Sequence, residues 1–111
     1  MNESEVKRIV RFYIEEAESP DLRKYGGSFL EHYDRCLHSV KHMMELGRMH
    51  SARVLDLGCG YGWHALIVAL LGDNEVVAND IRDLMGDNIA ERLDAVRKEF
   101  GIDPRITTLI A

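Results

Sequence analysis

Apolar residues in the first half of the chain recur at the spacing of two amphipathic helices. One apolar face runs through residues 3–18 and a second through residues 29–46, which predicts a helix over each range. Asn2 and Glu5 stand at the spacing of a capping box at the start of the first helix. Gly47 is the residue expected to end the second helix. The apolar positions are Val6, Ile9, Val10, Tyr13, Ile14 and Ala17 in the first helix, and Phe29, Tyr33, Leu37, Val40 and Met44 in the second.

The second half of the chain alternates short apolar runs with helical patterns. The predicted order of strand, helix, strand, helix, strand is typical of parallel strands joined by right-handed crossover helices. We therefore predict an α/β fold in one domain, with residues 1–51 as a helical N-terminal cap and residues 52–111 as a β-α-β-α-β core. The predicted strands are Arg53–Leu57, Glu75–Asn79 and Arg105–Ile110, and the predicted helices are Trp63–Leu71 and Asp87–Phe100.

Three glycines follow the first predicted strand, in "LGCGYGW". Gly58, Gly60 and Gly62 allow a sharp turn and a close approach of a ligand to the backbone, and the next helix directs free N–H groups toward that ligand. Dinucleotide-binding enzymes use the spacing G-x-G-x-x-G, and Trp63 stands where their last glycine would be. The turn therefore departs from the NAD-binding pattern. A tight strand-to-helix connection without a ligand is the structural alternative.

Two carboxylates flank this turn in the predicted fold. Asp56 lies at the carboxyl end of the first strand, where it would repel a pyrophosphate and suits a cationic ligand. Asp80 closes the second strand, where a carboxylate accepts hydrogen bonds from both hydroxyls of a ribose. A helix N-cap is the alternative role for Asp80, and the two roles are compatible. S-adenosylmethionine meets the combined demand for a ribose and a positive charge without a phosphate.

With these residues in place, residues 52–111 resemble the class I S-adenosylmethionine-dependent methyltransferases. The stretch "VLDLGCGYG" is similar to their first motif, and "VVANDI" is similar to their second. The resemblance implies that S-adenosylmethionine is the cofactor and S-adenosylhomocysteine its product. It implies that the methyl group moves to an oxygen, nitrogen, carbon or sulfur nucleophile. The residues expected to bind the cofactor are Asp56, Gly58, Cys59 and Gly60 along the methionine part, Tyr61 as a pocket wall, Gly62 in the turn, Asp80 on the ribose and Ile81 on the adenine.

The resemblance also implies a particular sheet. Family members have seven strands in the order 3-2-1-4-5-7-6, and this chain supplies a Rossmann-like half-sheet of three parallel strands in the order 3-2-1, preceded by two N-terminal helices. Strand one then becomes an edge, which attracts another strand. We expect a homo-oligomer in which Arg53–Leu57 pairs antiparallel with the same strand of a second copy. The alternative is that the N-terminal helices cover this edge.

Candidate catalytic residues come from the N-terminal half and from the helix after the glycine turn. Tyr25, His32 and His64 are the candidates for a base that removes the proton of the methyl acceptor. For His32 and His64, a surface position is the alternative. Tyr33 is expected in the core, and Trp63 is expected at a pocket wall or an interface. His38 and His42 have helical metal-ligand spacing, but without a third ligand a solvated face is the preferred interpretation.

Composition and charge favour a small-molecule acceptor over a nucleic acid. The chain of 111 residues has 14 basic and 19 acidic residues and a net charge of −5, which disfavours a broad phosphate-binding surface. The charged N-terminus does not resemble a signal peptide, and the longest apolar run, Ala65–Leu71, is too short to span a bilayer. Cys36 and Cys59 predict no disulfide framework and no metal site. We therefore expect a cytoplasmic protein without membrane association.

Taken together, the sequence predicts an S-adenosylmethionine-dependent methyltransferase that acts on a small molecule. A module that binds the cofactor without catalysis is one alternative. An N-terminal fragment of a longer methyltransferase is another, since the motif that commonly follows strand four of the family does not occur in this sequence.

Overall fold

Helices and strands occupy most of the chain that the structure describes. A computed structural model of the chain describes residues 1–15, 29–60, 62–80 and 88–110. Where the end of a predicted element falls inside these ranges, the observed end differs from it by at most two residues. The helices are α1 (Glu3–Glu15), α2 (Phe29–Gly47), α3 (Trp63–Gly72) and α4 (Asn88–Phe100), and the strands are β1 (Arg53–Leu57), β2 (Glu75–Asp80) and β3 (Ile106–Ile110).

The three strands form one parallel sheet in the order β1-β2-β3. Val54 pairs with Val76 in the register, and Val76 in turn pairs with Ile106. Because paired residues of parallel strands point to the same side, one face of the sheet carries an apolar row that the helices cover. The α/β class and the three parallel strands are therefore confirmed. β1 and β3 are the edges of the sheet among the described strands.

Helix α3 lies at the centre of the molecule. It packs against β2 on one side and against α1 and α2 on the other. Apart from the exposed His64 in its first turn, its side chains are apolar, since a helix buried on nearly all sides has little surface left for polar residues. The residues of α3 that are buried are Trp63, Ala65, Leu66, Ile67, Val68, Ala69, Leu70 and Gly72. None of the helices in the described ranges has both the length and the apolar character needed to cross a membrane.

The two N-terminal helices follow the predicted amphipathic pattern. In α1, the backbone N–H of Glu5 donates to Asn2 Oδ1 at 2.8 Å, and Asn2 Nδ2 donates to Glu5 Oε1 at 2.9 Å, which confirms the predicted capping pair. Every predicted apolar residue of α1 within the described range is buried, as are Tyr33, Val40 and Met44 of α2, while Leu37 is partly buried.

The prediction for the end of α2 was wrong in one respect. Gly47 is the last helical residue, and the left-handed residue after it is Arg48, with φ 51°. A Cβ at Gly47 would lie 2.8 Å from the terminal methyl of Met49, so the flexible Met49 side chain packs closely over this glycine. The Met49 N–H donates to the carbonyl of Met44 and folds the chain back onto the helix.

The side chain of Asn74 joins three segments around the start of β1. It is 1% exposed, and its amide nitrogen donates to the carbonyls of Met49 at 2.9 Å and Val68 at 3.0 Å. Its amide oxygen accepts a hydrogen bond from the N–H of Ala52 at 2.9 Å. One buried amide thus satisfies backbone groups in α3 and in the connection from α2 to β1. Gly72 makes room for it, since a Cβ there would lie 2.5 Å from the amide nitrogen.

Replacing Asn74 with alanine should cost about 3 kcal/mol of unfolding free energy, because buried backbone groups lose their partners. Urea unfolding followed by circular dichroism measures this cost. Asn79→Ala is the matched control, since the Asn79 amide makes one exposed hydrogen bond to the Leu109 carbonyl. That variant should lose less than about 1 kcal/mol. Equal losses for the two variants would contradict the role given to Asn74.

Candidate functional site

The glycine turn connects the carboxyl ends of β1 and β2. Gly58, Gly60 and Gly62 all have left-handed backbone angles, with φ 67°, 56° and 83°. The N–H of Cys59 donates to the carbonyl of Asn79 at 2.8 Å, and the N–H of Gly60 donates to Asp80 Oδ2 at 3.0 Å. Two consecutive N–H groups of the turn are therefore fixed by the end of β2. The turn is a preformed backbone structure at this edge of the sheet.

The three glycines differ in what surrounds them. A Cβ at Gly58 or Gly60 would meet nothing within 4 Å, so the described residues leave open space on the outer side of the turn. A Cβ at Gly62 would lie 3.0 Å from the hydroxyl of Tyr13 and 3.6 Å from the side chain of Ile89. The first two glycines thus border space that a ligand can approach. Gly62, predicted to bind the cofactor, is buried where α1 and α4 pack against the start of α3.

Asp56 is a half-buried carboxylate on the helix-covered face of β1. Burial raises its pKa, and the negative charge of Asp80 raises it further, while His64 acts in the opposite direction. No residue within the described ranges donates a hydrogen bond to this carboxylate. A half-buried carboxylate without such a donor is costly, and a ligand that donates hydrogen bonds or carries positive charge would remove the cost.

His64 is in the first turn of α3, close enough to Asp56 for the two charges to interact. Loss of hydration lowers the pKa of His64, and the carboxylate of Asp56 opposes this effect. Its ring also lies against Trp63, with the ring centroids 4.2 Å apart. At neutral pH the imidazole is therefore uncharged and able to accept a proton.

Asp80 has a role that the sequence did not predict. The two predicted roles were a contact with a ribose and a helix N-cap. In the structure, its carboxylate accepts the Gly60 N–H and so holds the glycine turn against the end of β2. Asp80 is half-buried at the carboxyl end of the central strand, one strand away from Asp56.

Of the other predicted site residues, Cys59 lies in the glycine turn and His32 lies on α2. Cys59 is buried beneath the turn, and its pKa is raised by burial and by the nearby carboxylates of Asp56 and Asp80. His32 lies half-buried in the first turn of α2. Three predicted site residues lie outside the described residues, namely Tyr25, Tyr61 and Ile81.

The predicted place of Trp63 at a pocket wall or an interface was wrong. Trp63 is buried in the core, where its ring stacks on Tyr33 with 6.4 Å between the centroids. Tyr33 is buried as predicted, and this burial raises its pKa to about 12. His38 and His42 are exposed on α2. The described residues contain no cluster of three or more histidine, cysteine or acidic side chains that could hold a metal ion.

A groove beside β1 was not predicted from the sequence. The groove has a volume of about 480 Å³ and lies between α2, α3 and β1. Asp56 and His64 line it, and so do Cys36, Ser39 and Met43 of α2. These three residues have helical spacing next to the core face of α2. That spacing is the one sequence feature from which the groove could have been suspected.

Comparison of the chain with protein-family models, with curated proteins and with solved structures gave no match. The chemistry of the site itself must therefore carry any proposal about function.

Replacing Asp56 with asparagine should stabilise the fold at neutral pH. The pKa of Asp56 is higher in the folded than in the unfolded state, so the folded state binds the proton more tightly. Its contribution to stability therefore falls as the pH rises from the unfolded pKa through the folded pKa. We expect the stability gained by Asp56→Asn to be smallest at acid pH, to grow through this window and then to level off.

Urea unfolding at a series of pH values between about 3 and 8 tests this dependence. Asp94→Asn is the control, because the Asp94 side chain is 76% exposed and pairs with Arg97 at the surface. A gain for Asp56→Asn that does not change with pH would show that the carboxylate is not destabilised by burial.

Proposed function

We propose that the protein is an S-adenosylmethionine-dependent methyltransferase that acts on a small molecule. The observation that carries the proposal is the pair of carboxylates, Asp56 and Asp80, at the carboxyl ends of adjacent parallel strands. Between them lies a glycine turn with open space over Gly58 and Gly60. In open α/β sheets, ligands bind outside the carboxyl ends of the strands. The resemblance of both strand ends to the motifs of class I methyltransferases supports the same proposal.

The charge of the site suits this cofactor better than it suits a dinucleotide. Asp56 lacks a hydrogen-bond donor among the described residues, and its neighbour Asp80 raises its pKa further. A pyrophosphate beside these two carboxylates would add repulsion. The ammonium or sulfonium group of S-adenosylmethionine would instead supply the missing positive charge to Asp56. In the proposal, Asp80 and the open backbone of Gly58 and Gly60 bind the ribose and the methionine part.

His64 is the residue of this chain that we assign to proton transfer. When bound, S-adenosylmethionine supplies an electrophilic methyl group, and the electron pair of the broken carbon–sulfur bond stays on the sulfur of S-adenosylhomocysteine. The accepting atom loses a proton as its bond to the methyl carbon forms. The lowered pKa of His64 keeps its imidazole neutral, and the neighbouring Asp56 stabilises the imidazolium that receives the proton.

We also assign the sheet to a Rossmann-like half-sheet, in the strand order 3-2-1 of the class I methyltransferases. The support is the parallel sheet with β2 in the centre, together with the glycine turn directly after β1. In this assignment Asp56 and Asp80 end strands one and two, which places both carboxylates at one end of the sheet.

Calorimetric titration with S-adenosylhomocysteine tests the cofactor. We expect binding to the wild type, and we expect Asp80→Asn to weaken it about tenfold, since hydrogen bonds to charged groups contribute about 1.5–3 kcal/mol. Asp80 also supports the turn, so a second ligand is needed to separate the two roles. The 2′-deoxy analogue of S-adenosylhomocysteine should bind the wild type more weakly, and Asp80→Asn should reduce the difference between the two ligands.

The variant Asp94→Asn is the matched control for this titration and should bind both ligands as the wild type does. Absence of binding by the wild type would refute the cofactor. If S-adenosylhomocysteine and its 2′-deoxy analogue differ in affinity for Asp80→Asn as much as they do for the wild type, the ribose contact is refuted. Binding without turnover against a panel of small methyl acceptors would favour the alternative of a non-catalytic module.

We further propose that two copies associate through β1, with their strands antiparallel. In the described sheet β1 has a neighbour on one side only, and Leu55 and Leu57 on its uncovered face are 58% and 72% exposed. An open strand edge with exposed apolar side chains favours pairing with another strand. A two-fold axis near Leu55 would bring these leucines of both copies together.

Light scattering at micromolar concentration should find a dimer, and Leu57→Lys should convert it to a monomer. Leu46→Lys is the matched control, since Leu46 lies on α2 and is 76% exposed. A monomeric wild type, or equal effects of both variants, would overturn the pairing through β1.

A further inference from the structure

The groove beside β1 has a polar end and an apolar end. Tyr33 near the start of α2 stacks on Trp63 at the start of α3, and Met44 near the end of α2 lies close to Gly72 at the end of α3. The two helices therefore run in the same direction. Of the residues that line the groove, Asp56 and His64 are at the end next to the glycine turn, while Met43 and Met49 are at the opposite end.

The groove lining carries one basic and one acidic side chain. Arg35 and Asp56 line the groove with opposite charges, and loss of hydration keeps His64 neutral at pH 7. An anionic acceptor would be repelled by the half-buried Asp56, and a cationic acceptor would compete with the cationic group of the cofactor that the proposed function places at Asp56. A neutral group that donates a hydrogen bond to Asp56 or His64 fits this end best.

The remaining wall of the groove is apolar. Val40, Met43, Met49, Val54 and Val68 line it, from α2, the connection after α2, β1 and α3. A volume of about 480 Å³ lies in the range of ordinary small-molecule sites, and such sites combine apolar walls with a few polar groups that fix orientation. The polar end adjoins the glycine turn through Asp56 and His64.

We propose that this groove binds the methyl acceptor, and that the acceptor is a neutral molecule with an apolar body and one proton-bearing nitrogen or oxygen. The acceptor role rests on the proposed function, whereas the binding of such a molecule in the groove does not. The apolar body lies along the methionine end, and the nucleophile faces Asp56 and His64. The nucleophile uses its lone pair to form the bond to carbon, and its proton passes to the imidazole of His64.

Binding can be measured without turnover, with the fluorescent probe N-phenyl-1-naphthylamine, which is neutral, apolar and carries one N–H. The anionic probe 8-anilinonaphthalene-1-sulfonate has the same body with an added sulfonate. We expect the neutral probe to bind the wild type more tightly than the anionic probe. In Asp56→Asn, the ratio of the dissociation constants of the two probes should be about fivefold smaller than in the wild type, which corresponds to about 1 kcal/mol of binding free energy.

Cys36 reports where the probe binds, because it lines the groove and is partly exposed, whereas Cys59 is buried. The neutral probe should slow the alkylation of Cys36 by N-ethylmaleimide. Mass spectrometry of the Cys36 peptide measures the rate of this alkylation. Ser39 is exposed and lines the groove, so Ser39→Trp places a large ring there. This variant should lower the affinity for the neutral probe about tenfold. His38→Trp, on the exposed face of the same turn, is the control and should leave the affinity unchanged.

Titration of the probe in the presence of saturating S-adenosylhomocysteine separates the two proposals. Simultaneous binding of both ligands supports an acceptor site next to the cofactor. If the probe protects Cys36 but S-adenosylhomocysteine does not bind, the proposed function fails and the groove remains a binding site. If S-adenosylhomocysteine binds but the probe does not protect Cys36, or if the two ligands compete, the acceptor site is overturned.

Discussion

The buried amide of Asn74 is the interaction on which the arrangement of this fold depends. It lies between the last turn of α3 and the chain that leads from α2 into β1, and it satisfies backbone groups on both sides. The N–H of Ser51 adds a direct bond to the carbonyl of Gly72. Because a buried peptide group without a partner costs free energy, this cluster fixes where β1 starts relative to α3. The direction of β1 in turn determines where Asp56 lies.

A second set of contacts holds the opposite end of α3. The turn between β1 and α3 is bound to β2 through Cys59 and Gly60, and Gly62 lets Tyr13 of α1 approach the start of the helix. The helix is therefore fixed at both ends, and the described residues leave open space over the outer part of the turn. Such rigidity suits a binding site, because little conformational entropy is lost when a ligand orders the backbone.

The sheet exposes apolar surface on the face opposite the helices. Leu55, Leu57 and Leu109 are on this face, where the described helices do not reach, and Leu109 is 49% exposed. Parallel sheets occur almost only with both faces covered, so this face favours contact with further protein. The pairing of β1 with a second copy remains a proposal. The groove beside β1 reaches this edge, because Leu55 is among the residues that line it.

The sequence by itself determined the elements and the strand ends, because periodicity and glycine positions act locally. The apolar face of α1, the strand Arg53–Leu57 and the carboxylates at both strand ends could all be predicted from neighbouring residues. Only the tertiary structure decided the close approach of Tyr13 to Gly62, the burial of Trp63 against Tyr33 and the groove between α2 and β1. These features depend on how distant segments pack. A local pattern shows which face of a helix is apolar, but not which residue of another element will lie against it.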